Sequence, residues 1–144
     1  MTAITSGLAQ SVHTRLLAHA RRAGLDPNLV LTRYTAERFL YRLSRSPHAE
    51  RFVLKGALLL LVWLGEQTRP TRDADLLGLG DLSDEAVART FREICAQPVQ
   101  ADGIVFITGS VRVSQITPRC STSRVRAFEL TGRRPPSPRR STPW

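Results

Sequence analysis

A small α+β domain is the fold class this chain predicts, and three observations predict it. Apolar residues recur at helical spacing near residues 8–20, 26–46 and 83–95. A short apolar run at Phe52–Leu54, and the apolar Ala74, Leu76 and Leu77 set around two aspartates, sit beside glycines and read as strands. A length of 144 residues with 42% hydrophobic content suits one domain of helices around a small mixed sheet.

The elements follow in order. Leu8, Val12, Leu16, Leu17 and Ala20 share one helical face, and Gly24 is placed to close that helix. Asp26-Pro27 restarts a helix, with Asp as N-cap and Pro at the first helical position. It carries Leu29, Val30, Tyr34, Phe39, Leu40 and Leu43 and stops near Ser46-Pro47, with Arg38, Arg42 and Arg45 expected on a solvated face. Phe52 to Lys55 is a short strand ending at Gly56, and Ala57 to Leu64 reads as a buried helix with Trp63 in the core. Thr71 to Leu79 is the next strand. Ser83 caps a further helix, with Asp84 and Glu85 in the first turn and a stripe of Val87, Phe91, Ile94 and Cys95. Ile104–Ile107 and Val111–Val113, separated by Thr108-Gly109-Ser110, read as a hairpin.

Charge divides the chain unevenly. The net charge is +9, and residues 115–144 supply +6 of it, from seven Arg against one Glu. The same segment holds five of the nine prolines, and it shows little period beyond Val125 to Leu130. Residues 1–116 are therefore expected to form the folded part. Residues 117–144 are expected to be a disordered Arg/Pro/Ser-rich tail. Such a composition suits either a basic arm for RNA or GC-rich coding DNA read out of frame. The longest apolar run has eight residues, too short to cross a bilayer, so no membrane partner is expected. No signal-peptide pattern opens the chain, and Cys95 and Cys120 form neither a metal spacing nor a disulfide framework; a cytoplasmic setting is the expectation.

One stretch carries chemistry. Lys55-Gly56-Ala57 stands at a strand-to-helix junction, followed by Arg69-Pro70-Thr71-Arg72-Asp73-Ala74-Asp75. Alternate residues of a strand share a face, so Asp73 and Asp75 would project together. Paired carboxylates repel unless a cation lies between them, and Mg²⁺ or Mn²⁺ suits such hard oxygen ligands while leaving positions for phosphate. A glycine at the start of a helix lets backbone N–H groups approach a triphosphate. Each part is common alone; their order is what points to metal-assisted nucleotidyl transfer.

These motifs resemble a family. Tyr34 to Ser44, Phe52-Val-Leu-Lys-Gly-Ala-Leu58, Arg69 to Gly78 and Asp102-Gly-Ile-Val-Phe106 look like the AbiEii/AbiGii abortive-infection toxin nucleotidyltransferases, which are similar to the DNA polymerase β superfamily. The likeness covers roughly residues 10–116. It implies transfer of a nucleotide from an NTP, with Mg²⁺ or Mn²⁺, to an acceptor such as tRNA or another RNA, and a cognate antitoxin as partner. It implies Gly56 as the phosphate-binding glycine, flanked by Lys55 and Ala57, with Thr71 beside the nucleotide and Asp73 and Asp75 as catalytic metal ligands. Ala57 stands where many members have Gly or Ser.

Two departures bear on activity. Ile107 occupies a position where the family usually has Asp, and beyond Pro118 the family's third-carboxylate strand has no counterpart; Glu129 is the only acid there. A truncated member, frame-shifted near Pro118 and impaired in transfer, is the expectation. A remnant that binds nucleotide or antitoxin without turnover is the alternative, and an RNA-binding protein acting through its tail is a third.

Overall fold

The computed structural model describes residues 2–64 and 73–114. In chain order it comprises α1 (Thr2–Ala23), α2 (Pro27–Ser44), β1 (Phe52–Lys55), α3 (Gly56–Leu64), β2 (Asp75–Gly78) and α4 (Asp84–Ala96). Helices around a two-stranded sheet make this an α+β fold, as the sequence predicts. Thr71, Cys120, Glu129 and the predicted tail lie outside the described residues.

The helix ends follow local chemistry. α1 closes at Gly24, where the Leu25 N–H donates back to the Ala20 carbonyl at 2.9 Å. Asp26 caps α2 by accepting from the Asn28 N–H at 3.0 Å, with Pro27 in the first turn. α2 then runs unbroken to Ser44. Ser83 precedes α4 as expected, but its side chain makes no capping bond. It engages Asp81 instead: the Asp81 carboxylate accepts from the Ser83 N–H at 2.9 Å, and hydrogen bonds from Ser83 hold the Asp81 carboxyl below its ordinary range.

β1 and β2 pair antiparallel in the register Phe52↔Gly78, Val53↔Leu77, Leu54↔Leu76 and Lys55↔Asp75. Residues opposite each other share a face. Phe52 and Leu76 turn inward onto Phe39, Leu43, Val87, Phe91, Ile94, Cys95 and Val111, the buried core between α2 and α4. Phenylalanines organise it: the Phe39 and Phe91 rings stack at 5.2 Å, and Phe52 meets Phe91 edge-on at 5.4 Å. The other face, with Val53, Leu77, Lys55 and Asp75, looks outward; Val53 and Leu77 are exposed.

Four expectations are corrected here. The 104–113 hairpin does not form: a 3₁₀ turn occupies Thr108–Ser110 and neither flank is a strand. Its backbone polar groups find side chains instead, the Ile104 N–H donating to Asp102 and the Ile104 carbonyl accepting from Arg42. Arg42 is not on a solvated face but 6% exposed, paired with that same Asp102. α3 is not a buried helix: Leu58 is buried, yet Leu60 and Leu64 are exposed and Trp63 is 73% exposed, so Trp63 is not core. The second strand begins at Asp75 and ends at Gly78, shorter than the predicted Thr71–Leu79, and Asp73 precedes it rather than forming part of it. The expectations that Val87, Phe91, Ile94 and Cys95 face the core hold.

Candidate nucleotidyl-transfer site

The predicted glycine and the second predicted aspartate meet directly. β1 passes into α3 without a loop, and Gly56 makes the turn at φ 74°. That conformation favours glycine over any residue with a Cβ. The same position also lacks room: a Cβ on Gly56 would fall against the Asp75 carboxylate, with its Cγ at 3.0 Å and its Cβ at 3.1 Å. The carboxylate therefore sits over the glycine, at the N-terminal end of α3. Negative charge is favoured there by the helix dipole and by its free N–H groups.

Lys55 is the cross-strand partner of Asp75 and lies on the same outer face, both half-buried. One end of the sheet thus gathers a carboxylate, an ammonium and a helix N-terminus. Ala57 follows Gly56 as the second residue of α3. Asp73 is exposed, two residues ahead of β2, so of the predicted aspartate pair it is Asp75 that the ladder fixes. Among the described residues no three of His, Cys, Asp and Glu gather as a metal cluster. A cleft of about 280 Å³ lies elsewhere, between α1, α2 and Leu61 of α3, and none of these residues lines it.

A second polar constellation, not foreseen from sequence, fixes the segment after α4. Arg42 grips Asp102 in a two-pronged ion pair at 2.8 and 3.2 Å, both side chains buried. The Tyr34 hydroxyl donates to the Asp102 carbonyl at 2.7 Å, and the Arg42 guanidinium lies 4.7 Å from the Phe106 ring centroid. Gly103, at φ 78°, lets this turn press on α1, where a Cβ would meet Ala9 Cα at 3.2 Å. Burial alone would raise the Asp102 carboxyl, but hydrogen bonds from Arg42 and the Ile104 N–H outweigh it and hold the group below its usual range. Tyr34 is pushed up, chiefly by burial. Periodicity could not reveal this pair, since its members stand 60 residues apart.

Among the described residues no helix is long and apolar enough to cross a membrane. Comparison with curated proteins and with solved structures gave no match in either case. A family model described as nucleotidyl transferase AbiEii toxin, type IV toxin–antitoxin system, matches residues 38–140. That span begins inside α2, takes in Gly56 and both aspartates, and runs beyond residue 116 through most of the Arg-rich segment. Matched over well more than half its length, the chain belongs to the AbiEii nucleotidyl transferase toxin family of type IV toxin–antitoxin systems.

Proposed function

We propose that the outer end of the sheet holds an NTP with Mg²⁺ or Mn²⁺, and that the transfer reaction served is of a nucleotide to an RNA acceptor such as tRNA. The observation that carries this is the Asp75 carboxylate packed over Gly56 at the first turn of α3. The residues suit the group: Mg²⁺ takes one or two protein carboxylates and completes its shell with phosphate oxygens and water. Asp75 and Asp73 are the carboxylates proposed to hold it. The ion, when bound, neutralises phosphate charge and polarises the phosphoryl group. The N–H groups at Gly56 and Ala57 bind phosphate oxygens, and Lys55 sets a positive charge beside them. In the reaction the acceptor hydroxyl forms a bond to the α-phosphorus, the bond to pyrophosphate breaks, and pyrophosphate departs while the hydroxyl proton passes to a base.

That last demand favours an impaired enzyme. Loss of a general base costs about 10²–10⁴ in rate, and among the described residues no third carboxylate joins the pair. Asp102 is committed to Arg42. The proposed chain therefore binds nucleotide but transfers it poorly, and a type IV antitoxin is its proposed cognate partner. Incubation with each of four α-labelled NTPs, Mg²⁺ and total tRNA, read on a gel, tests this. Nucleotide binding with faint or no labelling is expected. Strong labelling abolished by Asp73→Ala would show that two carboxylates suffice, and absence of nucleotide binding would remove the site altogether.

A further inference from the structure

One side of α2, half-buried at Tyr34 and Arg38 and exposed at Tyr41 and Arg45, carries a feature that the proposed transfer site does not use. Tyr34, Arg38, Tyr41 and Arg45 recur at i, i+4, i+7 and i+11 and so form one stripe along the helix and its C-cap. They alternate ring and guanidinium. Arg38 lies 5.5 Å from the Tyr34 ring centroid and 5.2 Å from that of Tyr41, while Arg45 lies 5.9 Å from Tyr41. All three distances fall within cation–π range. Tyr41 is 37% exposed and Arg45 is exposed. Buried Nε of Arg38 has no hydrogen-bond partner. The stripe itself contains no acid: Glu37 lines the cleft toward α1, which Tyr34 at the end of the stripe also lines, and Asp102 is held by Arg42.

We propose that this stripe is a docking surface for single-stranded RNA. Its occupant must offer a flat ring for Tyr41, the exposed ring of the stripe, and negative charge for the arginines on either side of it. An unpaired polynucleotide has both, with bases free to stack and phosphates between them. An acidic peptide supplies the charge alone, and a duplex keeps its base faces covered. Arg45, the looser of the two contacts to Tyr41, can turn its guanidinium to a phosphate and leave that ring face to a base. The surface rests on the transferase reading only for the reason RNA is there; binding needs neither nucleotide nor metal.

The test uses the full chain and a short fluorescein-labelled oligouridylate carrying 4-thiouridine. Anisotropy is read at about 0.3 M salt, where exposed arginine contacts are largely screened. Tyr41→Leu should weaken binding about tenfold or more, the loss of one base–ring stack, with Tyr41→Phe close to the parent. Arg45→Gln should reduce the salt slope by about one contact. Photo-cross-links should fall on residues 34–45. Unchanged affinity in Tyr41→Leu, cross-links confined to residues 115–144, or equal competition by duplex RNA or polyglutamate would each overturn the proposal. Asp75→Asn separates the two readings, since it should impair NTP binding while leaving RNA affinity intact.

Discussion

Replacing Gly56 by alanine tests the candidate site at its narrowest point. The backbone there is at φ 74°, where a Cβ costs about 1–2 kcal/mol. The new methyl would also meet Asp75, whose Cγ lies 3.0 Å from the Cβ position, and forcing a side chain out of a packed site costs roughly 1–3 kcal/mol more. Together the loss is about 2–5 kcal/mol. Urea denaturation followed by circular dichroism measures it, and a double-mutant cycle divides it. In an Asp75→Ala background the carboxylate is gone, so Gly56→Ala should cost only the backbone share. In an Asp75→Asn background the shape is retained and the charge removed, so the full cost should return. Equal costs in all three backgrounds would mean that Asp75 does not lie over Gly56. A neutral Gly56→Ala would refute the turn itself.

Three further outcomes are expected. Asp102→Ala leaves Arg42 buried and unpaired, which typically costs about 3–5 kcal/mol; because the folded Asp102 carboxyl is depressed, its contribution is present above the unfolded value near about pH 4 and is lost as pH falls through the folded one, so acid unfolding of the parent should be steeper than that of Asp102→Asn. Cys95, whose thiol burial pushes up to about 11 against a smaller opposing effect of Arg42, should resist iodoacetamide at pH ~8 in a Cys120→Ser chain until denaturant exposes it. Isothermal titration with Mn²⁺ should show weak binding that Asp75→Asn sharply reduces; equal affinity in both proteins would leave the carboxylates as an ordinary strand end.

Much of the fold could be read from local pattern because local forces decide it. Asp26-Pro27 caps α2 through its own next residues, and the Val87–Phe91–Ile94–Cys95 stripe needs only the 3.6-residue period to face inward. The Lys55-Gly56 turn into α3 was equally visible, since glycine at a strand end announces a backbone that others resist. What escaped the pattern depends on distant partners. Arg42 shares helical spacing with buried Phe39, Leu43 and Ser46 while its charge argues for solvent, and Asp102 is the partner that reconciles the two. Ile104 to Val113 alternates like a hairpin, yet Phe106 and Val113 pack individually on the core while Val105 and Ile107 stay exposed. Side chains of Arg42 and Asp102 then serve the backbone that a ladder would have served. Trp63 is exposed where its apolar character suggests core, because an all-apolar helix gives no period by which to tell its inner side. Of the site, the contact between Gly56 and Asp75 is tertiary, and sequence could offer the two residues without their meeting.

The sheet that presents Asp75 has only two strands among the described residues, and a lone two-stranded sheet is marginal in water. Its persistence is therefore borrowed from α4, through the Phe52 ring lodged against Phe91. Site and helix form one cooperative unit, so the strand amides should exchange with solvent no more slowly than those of α4. Whatever loosens α4, including a partner that grips its exposed Arg89 and Arg92, dismantles the proposed nucleotide site from behind without touching it.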